Sequence, residues 1–125
     1  MADEADLVDY LKAALAPIQV YWGWSPLETA EAPPSLPITT VRRQLFSTSG
    51  YDDMCETGVI QGDTTLLVHV WSRQYEQARD LMQVARMTIQ AAGGWALQTE
   101  LDSYEPNFRA WQIEGQWIAG GVTPD

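Results

Sequence analysis

The chain reads as an α+β domain in which a four- to five-stranded, mainly antiparallel sheet carries two amphipathic helices on one face. Three observations predict it. Residues 59–93 (VIQGDTTLLVHVWSRQYEQARDLMQVARMTIQAAG) pass from a β-period run into a long helical period with almost no connector. Several other stretches alternate with period two and follow one another without an intervening helix, which is best met by antiparallel neighbours. At 125 residues the chain forms one domain, 1–125. That length hides roughly two-thirds of its unfolded surface without disulfides or metal.

Taken in order, residues 3–16 begin with acidic residues, which favours a helix N-terminus, and Leu7, Val8, Leu11, Ala14 and Leu15 form one apolar stripe. Pro17 ends this helix. Ile18 to Trp24 alternates Ile18, Val20, Trp22 and Trp24 against Gln19, Tyr21 and Gly23, a first strand. Ser25 to Leu36, with Pro26, Pro33, Pro34, Glu28 and Glu31, blocks helix and central strand alike and reads as an extended, solvated loop. Pro37 to Phe46 is a second strand around the pair Arg42 and Arg43. Ser47 to Gly58 is a second loop, acidic at Asp52, Asp53 and Glu56 but also carrying Tyr51 and Met54, which a loop touching nothing does not need.

Thr64 to Trp71 is nearly all apolar or β-branched, as in a central strand covered on both faces. Ser72 is placed to cap the helix that follows. Tyr75, Ala78, Met82, Ala85, Ile89 and Ala92 form its packing face, and Gly93-Gly94 supplies a left-handed C-terminal cap. Trp95 to Leu101 is then a short strand and Asp102 to Asn107 a turn. Phe108 to Ile118 is the last strand, with Gly115 read as a bulge.

Composition excludes several function classes. Seventeen acidic residues against seven basic ones, with Lys12 the sole lysine, give a formal net charge of -10. Binding to nucleic acid or to anionic membranes rests on rows of Lys and Arg displacing counterions, and is disfavoured. Cys55 is the only cysteine, so the sequence holds no intramolecular disulfide and no Cys/His zinc pattern. No apolar run approaches the ~18 residues of a membrane span, and the acidic, amphipathic N-terminus is unlike a secretory signal. No membrane partner is expected.

The search for chemistry gives no catalytic set, cofactor cradle or metal centre. His69 is the only histidine, and it lies inside a strand between Val68 and Val70 with no recognisable Ser or Cys nucleophile, so a hydrogen-bonded structural histidine is expected rather than a hydrolytic base. Gly23-Trp24-Ser25-Pro26-Leu27 lacks the second glycine of a nucleophile elbow. Asp52, Asp53 and Glu56 lack the spacing and central glycine of a calcium loop. Gly93-Gly94 follows a helix instead of opening one, so it is no phosphate site. The chain is expected not to be an enzyme.

Six tryptophans, Trp22, Trp24, Trp71, Trp95, Trp111 and Trp117, exceed what so small a core needs. Core packing accounts for some of them. An aromatic surplus beside proline-rich loops also points to a surface buried by another protein, with Trp22, Trp24, Tyr51 and Met54 as candidates. The competing function is a small non-catalytic binding module that uses a tryptophan-bearing face for carbohydrate or peptide.

The leading helix LVDYLKAALAP, the strand and loop VYWGWSPLETAEAPPSLPIT, the strand end VHVWS, the helix start YEQARDLMQVA and the final strand FRAWQIEG together resemble the tail terminator, or tail completion, proteins of long-tailed bacteriophages, including the minor tail protein family of lambda-like phages. The resemblance spans nearly the whole chain. It implies a structural protein of the virion tail, assembled in the host cytoplasm as a ring, expected to be a homo-hexamer. Its partners would be its own copies, the tail tube protein and the head-tail connector. DNA would pass through the ring without specific binding. A lumen lined by carboxylates repels a duplex that carries a charge every ~1.7 Å, which makes Asp52, Asp53, Glu56, Glu28 and Glu31 candidate lumen acids. Arg42 and Arg43 are candidates for pairing with acids of the neighbouring subunit.

Overall fold

A computed structural model describes residues 3–23, 27, 35–45 and 64–119. The elements are α1 (Glu4–Leu15), β1 (Gln19–Trp22), β2 (Ile38–Leu45), β3 (Thr64–Ser72), α2 (Tyr75–Ala92), β4 (Trp95–Glu105) and β5 (Ala110–Ala119). The strands form one five-stranded sheet in the order β1-β2-β3-β5-β4, and all neighbouring pairs are antiparallel except β1 with β2. This is the expected α+β architecture. The parallel first pair corrects the expectation that consecutive strands lie antiparallel. The chain between Trp22 and Ile38 is long enough to return to the end it started from, and a parallel pair needs only that.

Helix α1 starts where its sequence provides a box of reciprocal hydrogen bonds. Asp3 Oδ1 accepts from the Asp6 N–H at 2.8 Å, and Asp6 Oδ2 accepts from the Asp3 N–H at 3.4 Å. The buried stripe is Leu7, Val8, Leu11 and Leu15, while Ala14 of the expected stripe is exposed. For α2 the buried residues are Ala78, Met82, Ala85 and Ile89, with Tyr75 and Ala92 packed at the margin. Ser72 is not the N-cap. It is the buried last residue of β3, and its hydroxyl accepts from the Gln74 N–H at 3.1 Å and donates to Gln77 at 2.6 Å, so it braces the strand-to-helix corner from outside the helix. At the other end Gly93 takes φ 81 and ψ 155. The positive φ explains the glycine, but the ψ is extended and not that of the expected left-handed cap.

Alternation along the strands divides the sheet into two unlike faces. On one face Val20, Val41, Leu66, Val68, Val70, Ile113 and Trp117 meet the apolar stripes of α1 and α2. Trp117 is fully buried there. Gly115 lies two residues away, and a Cβ on it would stand 3.2 Å from Trp117 Nε1. The glycine therefore makes room for the indole and is paired regularly with Val68 and Glu100. The sheet's irregularity falls elsewhere, between Leu97 and Thr99 of β4, which corrects the reading of Gly115 as a bulge.

On the other face Leu27, Ile38, Trp71 and Ala110 form a smaller cluster with Tyr21, Leu36 and Phe108 at its edge. Trp71 and Phe108 meet edge to face with centroids 5.8 Å apart. Strand β3 is thus buried along both faces. Strand β4 runs to Glu105, four residues beyond the expected Leu101. Asp102 and Ser103 are poor strand formers, yet the register Asp102↔Ile113, Ser103↔Gln112 and Tyr104↔Trp111 carries the pairing through them. The turn is consequently later, over residues 106–109, with Arg109 at φ 51.

Candidate functional surfaces

The central polar feature lies on the sheet face away from the helices. Strand pairing sets His69 of β3 opposite Glu114 of β5, and His69 Nε2 lies 3.0 Å from Glu114 Oε1. Gln116 donates to the second carboxylate oxygen at 2.6 Å. His69 is buried between Val68 and Val70 in the strand and tilts toward the Trp71 ring at 6.4 Å. Partial burial pushes the Glu114 carboxyl upward. The hydrogen bonds from Gln116 and His69, with the charges of His69 and Arg42, outweigh it and hold Glu114 below its ordinary value of 4.5. The histidine is hydrogen-bonded, as its strand position led us to expect.

That arrangement has a measurable consequence. A carboxyl depressed in the folded state contributes stability above its unfolded value and loses it as the pH falls through the lower folded value. Glu114→Gln should cost about 1 kcal/mol at pH 7, below the usual range of a charge-assisted hydrogen bond because the site is partly solvated. In urea unfolding the gap between the two proteins should close as pH falls from 5 to 3. A gap that stays constant would show that the carboxylate charge is not its source.

A second ionic layer joins α2 to β4. Arg86 pairs with Glu100 at 2.6 Å, and the Tyr75 hydroxyl donates to Asp102 Oδ2 at 2.5 Å. The Asp102 hydrogen bond, with smaller contributions from desolvation and neighbouring acids, raises Tyr75 above the usual phenol value. The Arg79 guanidinium stands 5.9 Å from the centroid of the Tyr75 ring, which itself stacks edge-on against Trp111. Between α2 and β4 runs an open cleft of about 520 Å³, lined by Glu76, Arg79, Asp80, Met82, Arg86 and Glu100 among others.

The candidate interface residues separate. Arg43 is exposed, and its Nε lies 3.1 Å from Glu4 Oε2 of its own α1. Arg42 points to the opposite face, half-buried, within electrostatic range of Glu114. Of the tryptophans, Trp71, Trp95 and Trp117 are buried and Trp111 is half-buried, which leaves Trp22 as the one exposed indole among the described residues. The half-buried Trp111 stands between Tyr75 at 4.9 Å and the exposed Tyr104 at 5.2 Å. Trp24, Tyr51, Met54, Glu28, Glu31, Asp52, Asp53 and Glu56 lie outside the described residues.

Trp22 closes a groove that the sequence did not reveal. The groove measures about 450 Å³ and is lined by Glu4, Ala5, Val8 and Asp9 of α1 and by Trp22 of β1. Spacing did place Glu4, Ala5, Val8 and Asp9 together along one side of α1, but only the docking of α1 beside β1 brings the indole to them. Among the described residues no group of three or more His, Cys, Asp or Glu side chains could hold a metal ion. No helix among them is long and apolar enough to cross a membrane. No protein-family model matches the chain, and no curated protein matches it.

Proposed function

We propose that the chain is a non-enzymatic structural protein of a long-tailed phage or prophage, which closes into a ring at the head-proximal end of the tail tube, ends tube polymerisation and presents a surface to the head connector. The sequence resemblance is the source of this reading. The observation that most supports it is the pair of unlike sheet edges that are left without a strand partner among the described residues. One edge is β4, eleven residues long and exposed over most of its length, with Leu101 57% and Tyr104 47% exposed. The other is β1, four residues long and ending in Trp22, 52% exposed.

Long unpaired edges are rarely left bare in proteins that act alone. Two different edges on one protomer favour a heterologous contact, in which one end of a copy meets the other end of the next, and contacts of that kind close into rings when the rotation allows. The net charge of -10 suits a passage for DNA that must not grip it.

The test combines the purified protein with isolated tail tubes. Negative-stain images should show a ring capping one end of each tube, and sedimentation should show a species of several protomers. A strict monomer that leaves both tube ends bare and still growing would overturn the proposal. Lysine substitutions at Asp52, Asp53 and Glu56 should leave the ring intact and impede DNA ejection; unchanged ejection would remove these residues from the lumen.

A further inference from the structure

We infer that the groove between α1 and β1 is a receptor for a cationic side chain, arginine above all, carried by a basic segment of a different protein. The walls supply the two interactions that a guanidinium seeks. Trp22, about half exposed as a residue, lines the groove, and the indole is the best of the aromatic rings for holding a cation. Asp9 stands on α1 at the rim as the carboxylate for an incoming cation, beside a Glu4 already held by Arg43, while Ala5 and Val8 give an apolar bed for the methylene stem of a long side chain.

The site already shows this chemistry in miniature. The guanidinium of Arg43 reaches Glu4 at 3.1 Å, whereas Asp9 has no ion pair among the described residues. The surroundings reinforce the sign, since Asp3, Glu4, Asp6 and Asp9 are set against Lys12 alone along this helix.

A second copy is the poorer occupant. Of the seven basic residues, Arg43 and Arg86 are committed to Glu4 and Glu100, Arg73 to the carbonyls of Phe108 and Arg109, and Arg42 to interactions of its own. Those remaining, Lys12, Arg79 and Arg109, are scattered over α1, α2 and the β4–β5 turn. A basic segment of another protein brings the clustered cations that this chain lacks. The inference does not depend on the ring and holds for a monomer as well.

The test uses the full chain and a synthetic Gly/Ser peptide bearing two arginines, with the same peptide carrying citrulline as the uncharged control. At low salt the arginine peptide should bind saturably and shift the Trp22 indole N–H and the Ala5 and Val8 amides in NMR spectra. Trp22→Ala, at an exposed position, should keep the fold and weaken binding about fivefold. Asp9→Asn should weaken it about threefold. The citrulline peptide should leave the spectrum unchanged. Equal affinity in Trp22→Ala and wild type, shifts spread over acids on every surface, or no binding at all would each overturn the inference.

Discussion

Replacing Trp117 with alanine is expected to lower the free energy of unfolding by about 3–5 kcal/mol, a large share of what a domain of this size possesses. The indole is fully buried where β5 crosses beneath the helices, and Gly115 is bare beside it to give it space. Other members of its cluster, Met82, Ile89 and Ile113 among them, are already buried, so they offer little side chain to fill the void. Trp117→Phe should cost markedly less. The indole N–H meets no acceptor among the described residues, so phenylalanine loses volume but removes a buried donor that they leave without a partner. Urea unfolding of the three proteins measures this order. An alanine variant within 1 kcal/mol of wild type would mean that α1 and α2 do not share the packing described.

The second large effect belongs to the opposite face. Trp71→Ala should cost about 3–4 kcal/mol, since Trp71 is buried in the smaller cluster and loses its edge-to-face contact with Phe108. Trp71 and Trp117 sit on opposite faces and in separate clusters, so the two losses should add to within about 0.5 kcal/mol in the double variant. The double variant is best measured against single variants at low temperature, because the summed loss approaches the whole stability. A Trp71→Ala protein as stable as wild type would mean that the second face contributes no core.

Much of this fold was legible because the strongest signals were periodic. The stripe of α2 and the two-faced run of β3 set the frame, and each kept its type and nearly its bounds. Part of what failed was local, as at the Ser72 and Gly93 helix ends, and part depended on how strands lie against one another. Asp102 and Ser103 look like turn residues until β5 is laid beside them and Tyr75 is brought to Asp102. Gly115 looks like a bulge until Trp117 is seen above it. The parallel pairing of β1 with β2 leaves no local trace, because period two says nothing of strand direction.

The candidate surfaces were less legible than the fold. His69 was evident in the sequence, but Glu114 becomes its partner only through the register of β3 on β5. Trp22 stands out in the sequence as a surplus aromatic, yet its neighbours Val8 and Asp9 come from a helix whose spacing shows only a packing stripe. Arg43, a candidate for pairing with an acid of a neighbouring subunit, is exposed and also lies 3.1 Å from Glu4 of its own chain.

Carboxylates along a sheet edge ordinarily act as a fence, keeping stray strands from adding to it. Strand β4 carries three of them, Glu100, Asp102 and Glu105, and the first two are tethered to Arg86 and Tyr75 of α2. Only Glu100 is neutralised there, by the Arg86 guanidinium; Asp102 accepts from a neutral phenol and keeps its charge, as does Glu105. The fence is thinned at one post and stands at the other two. Whatever strand approaches that rim has to answer two carboxylates as well as match its backbone hydrogen bonds.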